Sequence, residues 1–299
     1  MTISELRVQG EDGVVLAASL SLPERTPAPA LVALHGAQPG LRDFPLFEHL
    51  HETLPPAGIA VVTFDRRGEG ASTGEPAAGR FEVLAADANA VVETVAALDE
   101  IDARRVGLWG ISQGGWVAPL ASVRCERPAF LVLLSSCGVT PGAQMLYAMQ
   151  EQVRRAGFGE DAVTQVTTLM RALDDLLHRR GDRERAERLL AAAHAEPWWS
   201  LMYLPDSIPS EEAWAAVREE LDFEPEPVFS RVRVPTLLFY GEDDEWIPID
   251  ESIRVWRRAC GDEVEIVRLP GTGHEPVLAS GEVSPLYTET LLEWLRARS

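Results

Sequence analysis

The sequence predicts an α/β architecture: a mostly parallel central sheet with an N-terminal antiparallel hairpin, helices on both faces and a helical cap insertion. Three observations predict it. Short apolar runs without alternation recur along the chain, separated by segments of helical period, as parallel strands buried on both faces require. The N-terminal stretch instead alternates apolar and polar side chains about Glu11-Asp12-Gly13, the pattern of two antiparallel strands joined by a tight turn. Between two late strands, a span of about a hundred residues reads almost wholly as helix.

In chain order, residues 3–8 and 14–20 form the hairpin. Apolar runs at 30–34, 59–64, 106–109, 130–134, 236–240 and 264–267 supply the other strands. Helical period at 144–155, 161–179, 183–194 and 211–220 fills the insertion, punctuated by Gly157, Gly159, Gly181 and Pro197. The stretch 223–227, with two prolines and two acids, is expected as a return linker to the sheet. The core is therefore expected over 1–137 and 229–299, and the cap over 138–228.

Composition excludes several classes of function. A chain of 299 residues can bury a large core, and no stretch approaches the roughly 18 apolar residues of a membrane helix. The N-terminus lacks the basic start and apolar core of a signal peptide, so a cytoplasmic location is expected. Cys125, Cys137 and Cys260 are odd in number without paired spacing, which argues against disulfides and cysteine-based zinc sites; they are expected as buried, small apolar residues. The 27 basic and 47 acidic residues give a net charge of −20, which repels phosphate backbones and anionic lipid. Neither nucleic acid nor membrane is an expected partner, and homodimerisation is left open. The chain has no lysine, which removes Schiff-base chemistry and a P-loop.

The chemistry concentrates around GISQG at 110–114. A strand at 106–109 and a helix at 113–123, with Pro119 inside it, place Ser112 on a sharp strand-to-helix turn, where β-carbons at 110 and 114 would clash. Such a turn thrusts the hydroxyl outward and aims the Gln113 amide, at a helix N-terminus, toward a developing oxyanion. A serine needs a base, and this topology imposes the order nucleophile, acid, histidine. The chain supplies an acid-rich loop, GEDDEWIP at 241–248, and then a glycine-rich loop, LPGTGH, that ends at His274. A second oxyanion donor should follow the third strand, where His35-Gly36-Ala37 offers the Ala37 amide; His35 itself reads as a structural residue holding that loop.

These stretches, together with FDRRGEGASTG at 64–74, resemble the α/β-hydrolase superfamily with a helical cap. The elbow SQGGW is similar to esterases and acyl hydrolases of the serine-aminopeptidase-like branch. The resemblance implies a catalytic triad of Ser112, His274 and Asp244, with Asp243 the alternative one register earlier, and an oxyanion hole made by Ala37 and Gln113. It implies no cofactor and no metal. In the loop at 64–74 a structural role is expected, with Gly68 and Gly70 allowing a tight path and Asp65 bonding local amides.

His49 and His51 lie two apart on a helix, too far around it to share a metal, and are expected as solvated. Met145, Trp198, Trp199 and Trp214 read either as an apolar wall binding substrate or as packing between cap helices. The expected function is hydrolysis of a carboxylic ester or thioester of a small, apolar acyl compound. The alternatives are a peptidase or amidase, with Glu211 or Glu212 holding a substrate amine, and a cyclase, lyase or binding protein on the same fold.

Overall fold

The alternating N-terminal residues form β1 (Ile3–Gln9) and β2 (Val15–Ser21), paired antiparallel from Ile3↔Ser21 to Gln9↔Val15. The turn between them closes through Gly10 N donating to Val14 O and Gly13 at φ 81°. This is a computed structural model, and it describes residues 3–37, 40–77 and 79–298.

The apolar runs become β3 (Ala28–Leu34), β4 (Ala60–Phe64), β5 (Ile101–Ile111), β6 (Leu131–Leu134), β7 (Thr236–Gly241) and β8 (Val264–Leu269). Among the described residues, eight strands make one sheet in the order β1-β2-β4-β3-β5-β6-β7-β8. The pairs from β4–β3 onward are parallel, while β2 joins β4 antiparallel. Every residue of β3, β4, β6 and β7 is buried, which is why those strands read as unbroken apolar runs. Strand β5 begins earlier than its apolar run predicts, because residues 101–105, with the polar Asp102, Arg104 and Arg105 among them, extend it before Val106 enters the core.

Helices α1 (Pro45–Thr53), α2 (Phe81–Ala96) and α3 (Gly114–Arg124) follow β3, β4 and β5. Then come α4 (Pro141–Arg155), α5 (Glu160–Leu177), α6 (Arg183–Ala193), α7 (Glu211–Leu221), α8 (Pro225–Phe229), α9 (Ile249–Cys260) and α10 (Pro285–Arg296). A core cluster built from Leu31, Phe47, Trp109, Phe239, Leu291 and Trp294 is almost wholly excluded from water. Among the described residues, no helix is long and apolar enough to cross a membrane.

The chain divides into a sheet unit (1–138, 225–244 and 249–299) and a helical unit (139–224 and 245–248). Within the helical unit, side chains of Thr140, Asp182 and Ser210 accept amide hydrogens at the starts of α4, α6 and α7. Val163, Val166, Leu169, Leu173 and Leu177 form the buried stripe of α5. The expected return linker is corrected: residues from Pro225 onward form α8, whose Phe229 stacks on Trp256 of α9 with ring centroids 3.8 Å apart. Proline at a helix's first position needs no amide partner, so a proline-rich stretch can open a helix as readily as interrupt one. Of the cysteines, only Cys137 is buried; Cys125 and Cys260 are half-buried.

The expectation of solvated histidines also fails. His51 is buried on α1, its Nδ1 sharing a hydrogen bond with Ser21 Oγ at 2.8 Å and its Nε2 one with Thr63 Oγ1 at 3.1 Å. His49 bonds Thr288 Oγ1 at 3.0 Å. Burial pushes the His51 ring down to about 4 from 6.5. The unfolded chain therefore binds more protons than the folded one between those values, and stability falls as pH falls through them. The expected loss is about 3 kcal/mol by pH 4 for this residue alone. Thermal midpoints measured from pH 7 to 4 should decline, and His51→Gln should flatten part of that decline; an unchanged slope would assign the acid sensitivity elsewhere.

Candidate active site

Strand β5 ends at Ile111 and α3 starts at Gly114, so Ser112 occupies the turn between them, at φ 54°. A left-handed backbone at a non-glycine residue is strained and persists only where its surroundings enforce it. They do so here: Ser112 N donates to Leu134 O of β6 at 2.9 Å, and Gly115 N to Ser112 O at 2.8 Å. A β-carbon on Gly114 would lie 2.8 Å from the His35 carbonyl oxygen, and one on Gly110 would strike the carbonyl of Gly114. The loop after β3 passes close by, since a β-carbon on Gly36 would stand 3.6 Å from Ser112 Cβ. Ala37 is exposed on that loop, and Gln113 is buried at the start of α3.

The acid and the histidine follow β7 and β8. Asp244 is buried, and its two carboxylate oxygens lie 3.1 and 3.0 Å from His274 Nδ1. Asp243 is exposed, and its backbone amide donates to Thr272 O at 2.9 Å, which ties the two loops together. Gly241 is required at their crossing, because a β-carbon there would run into the Gly273 carbonyl. Ser112, Asp244 and His274 thus all stand at the carboxyl end of the parallel strands, the edge at which open α/β sheets place their ligands.

Two residues without a sequence signal belong to this neighbourhood. Ser135, after β6, has φ 50°, and its Oγ donates to the His274 carbonyl at 2.9 Å. Arg66 is buried and donates from Nη1 to Ala37 O at 3.0 Å and from Nη2 to Gly36 O. The loop at 64–74 is structural in the expected way: Asp65 accepts the amides of Arg42 and Ala71, each at 2.9 Å, and Gly68 and Gly70 have positive φ. Arg67 of the same loop is locked between Asp87 and Asp12. His35 is buried edge-on to Phe47 and Phe64, and burial, reinforced by the Arg66 charge, lowers it to about 3, so the ring is neutral.

The four candidate substrate residues lie in the helical unit, apart from this cluster in the chain. Trp198 is 2% and Trp214 8% exposed, both inside the unit's own apolar core, and Trp198 Nε1 donates to Gln165 Oε1 at 3.0 Å. Met145 and Trp199 are half-buried against the same core.

A serine on a strained strand-to-helix turn, with a buried carboxylate holding an imidazole at the same sheet edge, places the molecule among hydrolase-type enzymes of the α/β class. The chain belongs to the alpha/beta hydrolase family, whose model matches residues 31–285. It is similar to a 2-hydroxy-6-oxononadienedioate/2-hydroxy-6-oxononatrienedioate hydrolase of Cupriavidus pinatubonensis, with 28% identity over 249 residues that span 76% of this chain and 75% of that protein. Solved structures that share its fold include Est1E from Butyrivibrio proteoclasticus (19% identity, TM-score 0.61, covering 98% of each chain) and the alpha/beta hydrolase GrgF from Penicillium sp. sh18 (18% identity, TM-score 0.63, covering 99% of each).

Proposed function

We propose that the chain is a serine hydrolase that cleaves a carboxylic ester or thioester of a small apolar acyl compound through an acyl-enzyme. The observation that carries the reading is the Asp244 carboxylate astride His274 Nδ1 at 3.0 and 3.1 Å, on loops at the same sheet edge as the strained Ser112. With Nδ1 held by Asp244, Nε2 is the nitrogen that exchanges protons. Ser112 Oγ attacks the substrate carbonyl while His274 takes its proton. The tetrahedral oxyanion accepts the amides of Ala37 and Gln113, and its collapse expels the alcohol or thiol, protonated by His274. Water, deprotonated by the same imidazole, then attacks the acyl-enzyme and releases the acid. Asp244 fixes the imidazole's tautomer and stabilises the imidazolium.

The relative named for an oxononadienedioate hydrolase motivates a second reading, since the named compound carries an oxo group and two carboxylates. The same nucleophile could address such an oxo carbon, whereas a chain at net charge −20 disfavours approach of a dianion.

The test is intact mass after exposure to a fluorophosphonate. One adduct is expected on the wild type and none on Ser112→Ala or His274→Ala. A folded wild type without an adduct would overturn the proposal. A panel that sets neutral esters of increasing chain length against an oxo-dienedioate then decides the substrate, and turnover confined to the dioate would replace the ester reading by the second.

A further inference from the structure

We infer that Arg66 is a positioning residue of the oxyanion hole, holding the Ala37 amide in place from behind; this rests on the serine-hydrolase reading. A trans peptide is planar, with its C=O and N–H directed oppositely. The carbonyl of Gly36 and the N–H of Ala37 belong to one such unit. Arg66 Nη2 donates to that Gly36 carbonyl, and Nη1 donates to the next carbonyl, Ala37 O, at 3.0 Å. Fixing the oxygen fixes the amide hydrogen on the other side, along a loop in which Gly36 abuts Ser112.

The contact orients and also polarises. A cation bonded to a carbonyl draws electron density through the peptide, so the N–H of the same unit becomes a stronger donor to an anion. The effect needs a guanidinium kept from bulk water, and the Arg66 side chain is 4% exposed. Two adjacent carbonyls also need two donors in one rigid plane, which arginine has and lysine lacks. His35, Arg66 and Gln113 line one small cavity of about 20 Å³, so the arginine that holds the Ala37 peptide also neighbours the residue of the second proposed donor. The buried His35 ring stays neutral beside it and adds no competing charge.

The backbone contacts separate this role from simple loop packing. Arg66 N donates to Gly40 O at 2.7 Å, Gly40 N to Glu69 Oε2 at 3.0 Å, and Arg42 N to Asp65 Oδ1 at 2.9 Å. Arg66 N to Gly40 O and Arg42 N to Asp65 Oδ1 do not involve the Arg66 side chain, so these stitches remain when it is removed, while its hold on Gly36 and Ala37 is lost together with a 4.0 Å ion pair to Glu69.

Three measurements on the 299-residue chain test this. In Arg66→Lys, kcat on an activated ester should fall about 10- to 100-fold with KM within about twofold, less than the roughly 100- to 1,000-fold typical of deleting an oxyanion donor outright. In Arg66→Ala, millimolar guanidinium should restore part of the lost kcat, which a merely structural role would not allow. The Ala37 amide resonance of Arg66→Lys should move upfield as the charge-assisted bond on its own peptide is lost. A wild-type kcat in Arg66→Lys, or an unmoved Ala37 resonance, overturns this inference and leaves the serine-hydrolase reading intact. An unlabelled Ser112 in the wild-type chain overturns both. If Arg66→Ala does not fold, Arg66→Lys decides alone.

Discussion

Ser112→Ala is expected to bring turnover of an activated ester close to background, a loss of ~10⁴-fold or more, in a protein that still folds. The magnitude follows from the proposed chemistry: without the hydroxyl there is no acyl-enzyme, and what remains is the binding and polarisation that the oxyanion donors give a direct attack by water. The fold should survive because the turn is enforced by its neighbours, through Ser112 N to Leu134 O and the packing at Gly110 and Gly114, rather than by the serine side chain. A companion substitution separates strain from chemistry. Ser112 holds φ 54°, which costs an L-residue about 1–2 kcal/mol and glycine almost nothing. Ser112→Gly should therefore be as inactive as the alanine variant and more stable than the wild type by about 1 kcal/mol, a rise of roughly 2–4 °C in thermal midpoint for a chain of this size. An alanine variant with substantial residual turnover would remove Ser112 from the reaction. A glycine variant no more stable than wild type would mean that the turn is not a site of stored strain.

The parts of this site visible in the sequence are those imposed by local geometry. Gly110, Ser112 and Gly114 show themselves because a strand must turn into a helix within a few residues, and backbone crowding at that turn excludes side chains. The parallel strands show themselves because burial on both faces strips β3, β4, β6 and β7 of charged residues. What stays hidden depends on partners distant in the chain. The spacing of His49 and His51 on α1 says nothing of the partners that bury His51, because Ser21 and Thr63 reach it from β2 and β4. Arg66 lies in a loop that the spacing of Asp65, Gly68 and Gly70 marks as a turn, and nothing local says that its guanidinium reaches the carbonyls of Gly36 and Ala37, 30 and 29 positions away. The tryptophans of the helical unit illustrate a different limit. An aromatic side chain has the same composition signal whether it lines a ligand site or fills a core, and only burial shows that Trp198 and Trp214 are interior.

The acid loop offers the sharper test, because two adjacent aspartates differ in environment and not in chemistry. Asp244 is buried and accepts from His274 Nδ1 through both oxygens, whereas Asp243 is exposed and contributes its backbone amide to Thr272 O. Asp244→Asn is nearly isosteric, so the loop should keep its shape. However, its amide nitrogen cannot accept from Nδ1–H, and an amide N–H donor facing Nδ1 favours the tautomer with the proton on Nε2. That tautomer cannot receive the Ser112 proton, and the imidazolium loses its counter-charge. The expected loss is ~10⁴-fold in kcat, as for the equivalent change in the serine-protease triad, with KM little altered. Asp243→Asn leaves the amide to Thr272 in place and should keep kcat within about twofold to threefold, since a solvated charge at the surface acts weakly. The pair of kcat values decides the matter without reference to folding, because both variants preserve volume and hydrogen-bonding shape. A larger loss at 243 than at 244 would mean that the buried carboxylate merely braces the histidine loop, and that the acid acting on His274 in the reaction is the exposed one.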